Sequence, residues 1–298
     1  MAQPRVQIVE VSPRDGLQAE ERTLPTETKL ELIDRLADAG HTAIEATSFV
    51  SPTAVPQLAD ADDLMTRLRR RPGVRYPVLV PNERGLERAL AAGADEIAVF
   101  VSASESYSRK NLRRGREEAV ATALAVVIAA KARGLRVRSY VSMVIADPDD
   151  GPTDPAAVAK IGARLLAAGA DELSLGDTIG AGTATHVRAL LAAHRDAKIP
   201  LARIAVHFHD TYGQGLANVL AAIELGVTVV DASIGGIGGS PFAKRASGNL
   251  ATEDVVWMLD GMGIATGVDV RKLAETTQWM AHQLGRELPG RAARALSA

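Results

Sequence analysis

Four times along the chain an Ala/Leu-rich helical stretch ends at glycine and gives way, within a few residues, to a short apolar run of β type: LADAG-HTAIEAT, ALAAG-ADEIAVFVS, LLAAG-ADELSLGDT and AIELG-VTVVDASIGG. Gly40, Gly93, Gly169 and Gly226 offer the left-handed C-cap that stops a helix, and the runs after them suit strands buried on both faces. A fifth copy, KARG-LRVRSYVSM, turns at Gly134. Residues 6–11, 76–80 and 202–207 bring the strand candidates to eight, each followed by a helical stretch. That count predicts an α/β fold, a single (β/α)₈ TIM barrel with a Gly-rich loop after the eighth strand. A doubly wound open sheet is the alternative, but it needs a nucleotide-type glycine turn after the first strand, where this chain reads SPRDGLQ. Nothing resembling a linker interrupts the pattern, so one domain is expected over residues 1–285, with a short C-terminal tail at 286–298. The longest nearly apolar stretch, residues 119–130, falls short of the ~20 residues that cross a bilayer and predicts a buried helix instead.

Composition narrows the chemistry. With 34 basic side chains against 36 acidic ones, the formal net charge of −2 removes the positive field of a nucleic-acid binder. The absence of cysteine excludes disulfides, thiolate zinc sites, iron–sulfur clusters and a cysteine nucleophile. Any metal must then be held by His, Asp, Glu, Asn or water. The first four residues lead almost directly into an apolar strand, which leaves no room for a secretion signal. The expectation is a cytoplasmic protein with no membrane or nucleic-acid partner.

In a barrel, the residues that close each strand face the active-site mouth. Here they are polar: Arg14 and Asp15; Glu45, Thr47 and Ser48; Ser102, Ser104 and Glu105; Ser142; Asp177 and Thr178; His207, His209 and Asp210; Asp231 and Ser233. His207 and His209, two apart on a strand, share a face and set two imidazoles side by side. They read either as metal ligands or as histidines bonded to neighbouring loops. Asp15, at the end of the first strand, tips the balance, because a carboxylate with two neutral imidazoles suits Mg²⁺, Mn²⁺ or a similar ion. Arg14 can hold a carboxylate or a developing oxyanion, or merely brace the turn through Asp15. Residues 235–248, GGIGGSPFAKRASG, form a lid or a phosphate cradle. The run Arg109, Lys110, Arg113, Arg114 and Arg116 reads as a site for anionic phosphates or as a solvated face.

The segments SPRDGLQ, IEATSFVSPTAVPQ, GDTIGAGT, HFHDTYGQGLANVLAAIELGVTVVDAS and GGIGGSPFAKRASGNLATEDVVWML, in this order and over nearly the whole chain, resemble the 3-hydroxy-3-methylglutaryl-CoA lyase family of the DRE-TIM metallolyase superfamily. The resemblance implies a barrel that cleaves a 3-hydroxyacyl-CoA to acetyl-CoA and a keto acid by retro-Claisen chemistry, with a divalent cation, Mg²⁺ or Mn²⁺. It aligns the metal ligands with Asp15, His207, His209 and Asn249, the enolate-stabilising arginine with Arg14 and the active-site glutamate with Glu45. The hydroxyl proton would pass to Asp15 or His207. Where the family loop reads GGCPY and supplies a catalytic cysteine, this chain has GGSPF with Ser240. A thiol ionises near ~8.5 and a serine hydroxyl has no comparable acidity, so Ser240 can place a water or donate a hydrogen bond but does not inherit the proton transfer. Arg245 replaces a glycine, Glu21 replaces a lysine, and the family's GCPYEG reads IADPDDG.

The expected catalytic set is therefore Arg14, Asp15, Glu45, His207 and Ser240, with acyl-CoA contacts at Arg109, Lys110, Asn111, Lys244 and Arg245, in a homo-oligomer of two or more chains. The altered loop favours a different 3-hydroxyacyl-CoA, such as citramalyl-CoA, as one alternative. A Claisen-condensing acyltransferase is a second, opposed by the short stretch after ATGVD. A catalytically silent barrel that binds metal or CoA is a third.

Overall fold

Glycine stops the helices where the sequence places it: Gly40, Gly93, Gly134, Gly169 and Gly226 all take positive φ, between 75° and 111°. The computed structural model describes residues 4–239 and 248–297. Eight barrel strands follow in chain order, β1 (Gln7–Glu10), β2 (Thr47–Ser48), β3 (Val78–Leu79), β4 (Glu96–Ser102), β5 (Arg136–Ser142), β6 (Glu172–Asp177), β7 (Ile204–Phe208) and β8 (Val229–Ala232). All pair in parallel, in the order β1-β8-β7-β6-β5-β4-β3-β2. The two ends of that sheet meet. The Glu10 N–H donates to the Ala43 carbonyl (3.0 Å) and the Glu45 N–H to the Glu10 carbonyl (2.9 Å), so the sheet closes into the predicted (β/α)₈ barrel.

Three strands, β1, β3 and β7, are shorter than the sequence suggests. Pro77, which has no N–H to give, sits between the Ala43–Arg75 bridge and the short β2–β3 ladder and breaks the pairing into pieces. β7 starts at Ile204 because Leu201–Arg203 coil into a 3₁₀ turn, and it runs on to Phe208. The helices α1 (Thr26–Asp38), α2 (Ala61–Arg67), α3 (Glu83–Ala91), α4 (Glu105–Leu112), α5 (Arg116–Ala132), α6 (Pro155–Ala167), α7 (Ala184–Asp196), α8 (Gly215–Glu224) and α9 (Thr252–Gly261) surround the strands. The main apolar core lies between strands and helices, as where Ile97, Val99 and Val101 of β4 cluster with Val120, Val126 and Val127 of α5. The expectation of a buried helix at 119–130 is corrected here. α5 buries one face and leaves Ala121, Ala125 and Ile128 exposed, because it lies on the outer ring with a single face toward the sheet.

Inside the barrel the residues alternate differently. Barrel interiors are ordinarily filled by branched apolar side chains. Here Arg138, Tyr140, Glu172, Ser174, His207 and Asp231 are buried on the strands, and only small apolar clusters such as Val9, Ala43, Ala205 and Val229 accompany them.

The chain ends in α10 (Val270–Leu284) and α11 (Arg291–Leu296), and α11 packs on α9 and α10. Between them the Gly290 N–H donates to the Gly235 carbonyl (3.0 Å), and Arg291 reaches Asp210 (3.1 Å) beside the barrel mouth. Among the described residues no helix is long and apolar enough to cross a membrane.

Candidate active site

The segment after β1 folds into a single π-helical turn, Ser12–Gly16, in which the N–H groups of Arg14, Asp15 and Gly16 converge on the Val11 carbonyl (3.2, 2.7 and 3.1 Å). That turn sets Arg14 and Asp15 together at the mouth. β7 supplies the other half, since its period of two places His207 and His209 with ring centroids 5.5 Å apart. One ligand atom each from Asp15, His207 and His209 lies within 4.8 Å of the others. Asn249, bridged to the His209 backbone, donates its Nδ2 to Asp15 Oδ2 (2.8 Å) and to the Ile237 carbonyl (3.1 Å). Both amide protons being used, its Oδ1 is the atom left to face an ion.

This donor set fits a divalent cation. His209 carries a buried ring nitrogen, Nδ1, with no hydrogen-bond partner among the described residues. Burial, helped by the neighbouring His207, pushes the His209 imidazole down to about 4, so it is neutral, the form that ligates metal. Burial alone would raise the Asp15 carboxyl. Arg14, then His207 and His209, override it and hold Asp15 at about 2, so it is an anion at all working pH. One carboxylate, the neutral His209 imidazole, an amide oxygen and the His207 imidazole, whose pKa Asp231 and Asp15 raise against the effect of burial and which ligates once deprotonated, together suit a divalent cation.

Arg14 is locked from behind. Its Nε donates to Glu45 Oε2 (2.8 Å), its Nη1 to Asp15 Oδ1 (2.6 Å), and its guanidinium lies 5.2 Å from the Tyr140 ring centre. Tyr140 in turn donates its hydroxyl to Glu45 Oε2 (3.1 Å). Arg14, Asp15, Tyr140, Ser142, His207 and His209 line a cavity of about 310 Å³ at the mouth. Glu45 is fully buried and does not line that cavity; its carboxylate reaches the site through Arg14 and Tyr140.

The other expected residues divide. Asn111 lines the cavity, whereas Arg109 pairs with Glu105 (2.7 Å) and Lys110 with Asp149, both on the exposed rim. Ser240, Lys244 and Arg245 lie outside the described residues. Several polar strand ends serve the loops instead of the cavity. Asp177 accepts the N–H groups of Ala181 and Gly182, Ser104 caps α4, and Asp210 accepts the N–H of Gly215. The substituted IADPDDG segment is fastened to α4, with Asp150 accepting from the Ser104 hydroxyl (2.9 Å) and the Ser106 N–H (3.0 Å). Tyr140 and Arg138 were not singled out from the sequence. Their signal was available, since a strand spaced Arg138-x-Tyr140-x-Ser142 puts three polar side chains on one face.

Comparison with known proteins finds relatives over nearly the whole chain. The HMGL-like family model matches residues 5–280. The mitochondrial hydroxymethylglutaryl-CoA lyase of Rattus norvegicus is 50% identical over 291 residues, covering 98% of this chain and 89% of the rat protein. The solved hydroxymethylglutaryl-CoA lyase of Pseudomonas aeruginosa is 45% identical, superposes with a TM-score of 0.95, and covers 100% of this chain and 99% of its own. A lyase from Acinetobacter baumannii, solved in complex with coenzyme A and 3-methylmalate, is 35% identical with a TM-score of 0.93, covering 98% and 95%. Over matches of that length and identity, with the strand-borne histidines and the aspartate in one cluster, the chain belongs to the hydroxymethylglutaryl-CoA lyase family of metal-dependent barrel enzymes.

Proposed function

We propose that this chain cleaves 3-hydroxy-3-methylglutaryl-CoA to acetyl-CoA and acetoacetate with Mg²⁺ or Mn²⁺ held by Asp15, His207, His209 and Asn249. The observation that carries the reading is the Asp15–His207–His209 cluster, set beside Arg14 in the wall of one cavity. A cation there would supply Lewis-acid polarisation of the substrate's hydroxyl and carbonyl oxygens. Retro-Claisen cleavage moves the hydroxyl proton to a base, breaks the C2–C3 bond and leaves the electron pair on the thioester as an enolate. Arg14 commits three of its five N–H groups to Glu45 and Asp15, and the others remain for the thioester oxygen as negative charge grows on it.

With His207 Nδ1 turned to Asp231 and Nε2 given to the cation, the Asp15 carboxylate is the acceptor left for the hydroxyl proton. Its low basicity requires that hydroxyl to be strongly acidified in the complex. The enolate carbon takes its proton from water or from a group near Ser240. Asn111, at the cavity, and Lys110 and Arg109, on the rim beyond it, with Lys244 and Arg245, supply the contacts for the CoA moiety. A cytoplasmic setting and a homo-oligomer complete this reading, and light scattering of the purified protein measures the second.

The test is product analysis with Mg²⁺ and a panel of thioesters. Acetyl-CoA and acetoacetate from the methylglutaryl thioester are the expected result. A metal-loaded protein that leaves it intact and cleaves citramalyl-CoA instead would transfer the assignment to that substrate.

A further inference from the structure

Behind the cluster of candidate ligands, seven buried or half-buried polar residues form a closed ring across the barrel. Asp15 accepts from Arg14, Arg14 donates to Glu45, Glu45 accepts from Tyr140, and Tyr140 accepts from Arg138 Nη1 (3.1 Å). Arg138 Nη2 donates to Asp231 Oδ1, Asp231 Oδ2 faces His207 Nδ1 (3.3 Å), and His207 Nε2 returns to within 3.8 Å of Asp15 Oδ2. Arg138 has no assigned part in the site so far, Tyr140 only its place in the cavity wall and its contacts to Arg14 and Glu45, and Asp231 only its contact to His207.

We propose that Asp231, aimed by Arg138, determines which nitrogen of His207 carries the proton and thereby presents Nε2 to the cation. Both are positioning residues; neither belongs to the ligand set. The proposal rests on the metal site described under the proposed function and adds the residues that set it up.

The backbone makes the contact obligatory. His207 of β7 and Asp231 of β8 are register partners directly across the parallel ladder, with both side chains in the barrel interior. A carboxylate can only accept, and a neutral imidazole has one N–H, so an Asp231 facing Nδ1 draws the proton there and leaves the Nε2 lone pair for metal. Metal-bound histidines are commonly oriented by such a carboxylate, and loss of the outer partner typically costs about 10–100-fold in affinity. Arg138 adds direction. It is 2% exposed, can only donate, and holds Glu172 through Nε (2.7 Å) as well as Tyr140 and Asp231. Whatever stands at position 231 must therefore turn an oxygen toward it. In Asp231→Asn the single amide oxygen goes to Arg138, and the NH₂ faces His207 Nδ1 and the Ser174 hydroxyl, which now donates to Asp231 Oδ2 (2.7 Å). Nδ1 then becomes an acceptor and the proton moves to Nε2, where it blocks the metal. Exchanging the aspartate of a Ser-His-Asp triad for asparagine acts in the same way, through the wrong tautomer.

The tautomer is read directly from two-bond ¹⁵N–¹H correlation spectra of the metal-free protein, recorded above the pH at which the His207 ring ¹⁵N shifts stop changing, since Asp231 and Asp15 override burial and raise the pKa of this imidazole. His207 is expected as Nδ1–H in the wild type and as Nε2–H in Asp231→Asn, with Mn²⁺ binding by calorimetry weakened about 10–100-fold. A wild-type His207 protonated on Nε2 overturns the proposal by itself, even if the variant does not fold. An unchanged tautomer and unchanged Mn²⁺ affinity in a folded Asp231→Asn also overturn it. Neither readout uses a thioester, so failure of the lyase reading and failure of this one show in different experiments.

Discussion

Replacing Glu10 by glutamine offers a quantitative test of how the glycine-rich segment is held. Glu10 is fully buried outside the catalytic cavity. Its Oε1 accepts the N–H groups of Ser12 (3.0 Å) and Ile234 (3.1 Å), and its Oε2 accepts the Thr252 hydroxyl (2.7 Å). Burial raises the carboxyl from 4.5 to about 7, and these hydrogen bonds only partly oppose it. A displacement of that size corresponds to about 3 kcal/mol between the two protonation states. Because the folded chain binds this proton more tightly than the unfolded one, the contribution is fully present below pH 4.5 and is lost as the pH rises through 7. Glutamine is neutral throughout and lacks this loss. Urea unfolding of both proteins across the range cancels the titrations of groups remote from Glu10, leaving those of Glu10 and of its neighbours Glu253 and His41 in the difference. The stability of Glu10→Gln relative to wild type is expected to rise by about 3 kcal/mol between the acid end and pH 8. A difference that stays flat with pH would show that Glu10 titrates normally in the fold and that the Ile234 anchor carries no electrostatic cost.

Three further outcomes follow from the site. Arg14→Ala should lower kcat by about 10²–10³, the usual loss for one oxyanion donor, with Mn²⁺ affinity measured by calorimetry changing far less. Asn249→Ala should weaken Mn²⁺ binding by at least about tenfold, since it removes an amide oxygen and the donor that orients Asp15 Oδ2; an unchanged Kd would remove Asn249 from the ligand set. Gly238 has φ +118° and a Cβ there would overlap the Asn249 side-chain amide, so Gly238→Ala should cost about 1–3 kcal/mol of stability and weaken metal binding together; losing only one of the two would separate the loop from the site.

The barrel was legible because its signals are local. Helix ends at Gly40, Gly93, Gly134, Gly169 and Gly226, followed by apolar runs, need no knowledge of distant contacts, and all five glycines take the positive φ that the pattern requires. His207 and His209 were legible for the same reason, since two residues on one strand share a face whatever surrounds them. Asp15 joined them only by barrel topology. Asn249 came from family resemblance, because its role depends on a loop that returns to the first strand. The inner ring was missed although Arg138 and Tyr140 alternate visibly on β5. A charged residue in a strand reads as solvent-facing until its partners, Glu172 on β6 and Asp231 on β8, are known to stand opposite. Among the polar strand ends, Asp177, Ser104 and Asp210 carry loop and helix N–H groups, a use that polarity at a strand end does not distinguish from a place at the cavity.

The bond between Asn249 and Asp15 joins residues 234 positions apart. On the ribosome, at about 5–20 residues per second, the aspartate is made on the order of tens of seconds before the amide that orients it. The strand bearing Glu10 likewise waits for Ile234 and Thr252, and Gly235 waits for Gly290. A nascent chain can thus assemble helices and central strands in order of synthesis while its metal pocket stays unmade until Asn249 emerges. Termination between positions 209 and 249 would leave Asp15, His207 and His209 without the amide that orients the aspartate, so metal retention can serve as a sensor of synthesis past Asn249.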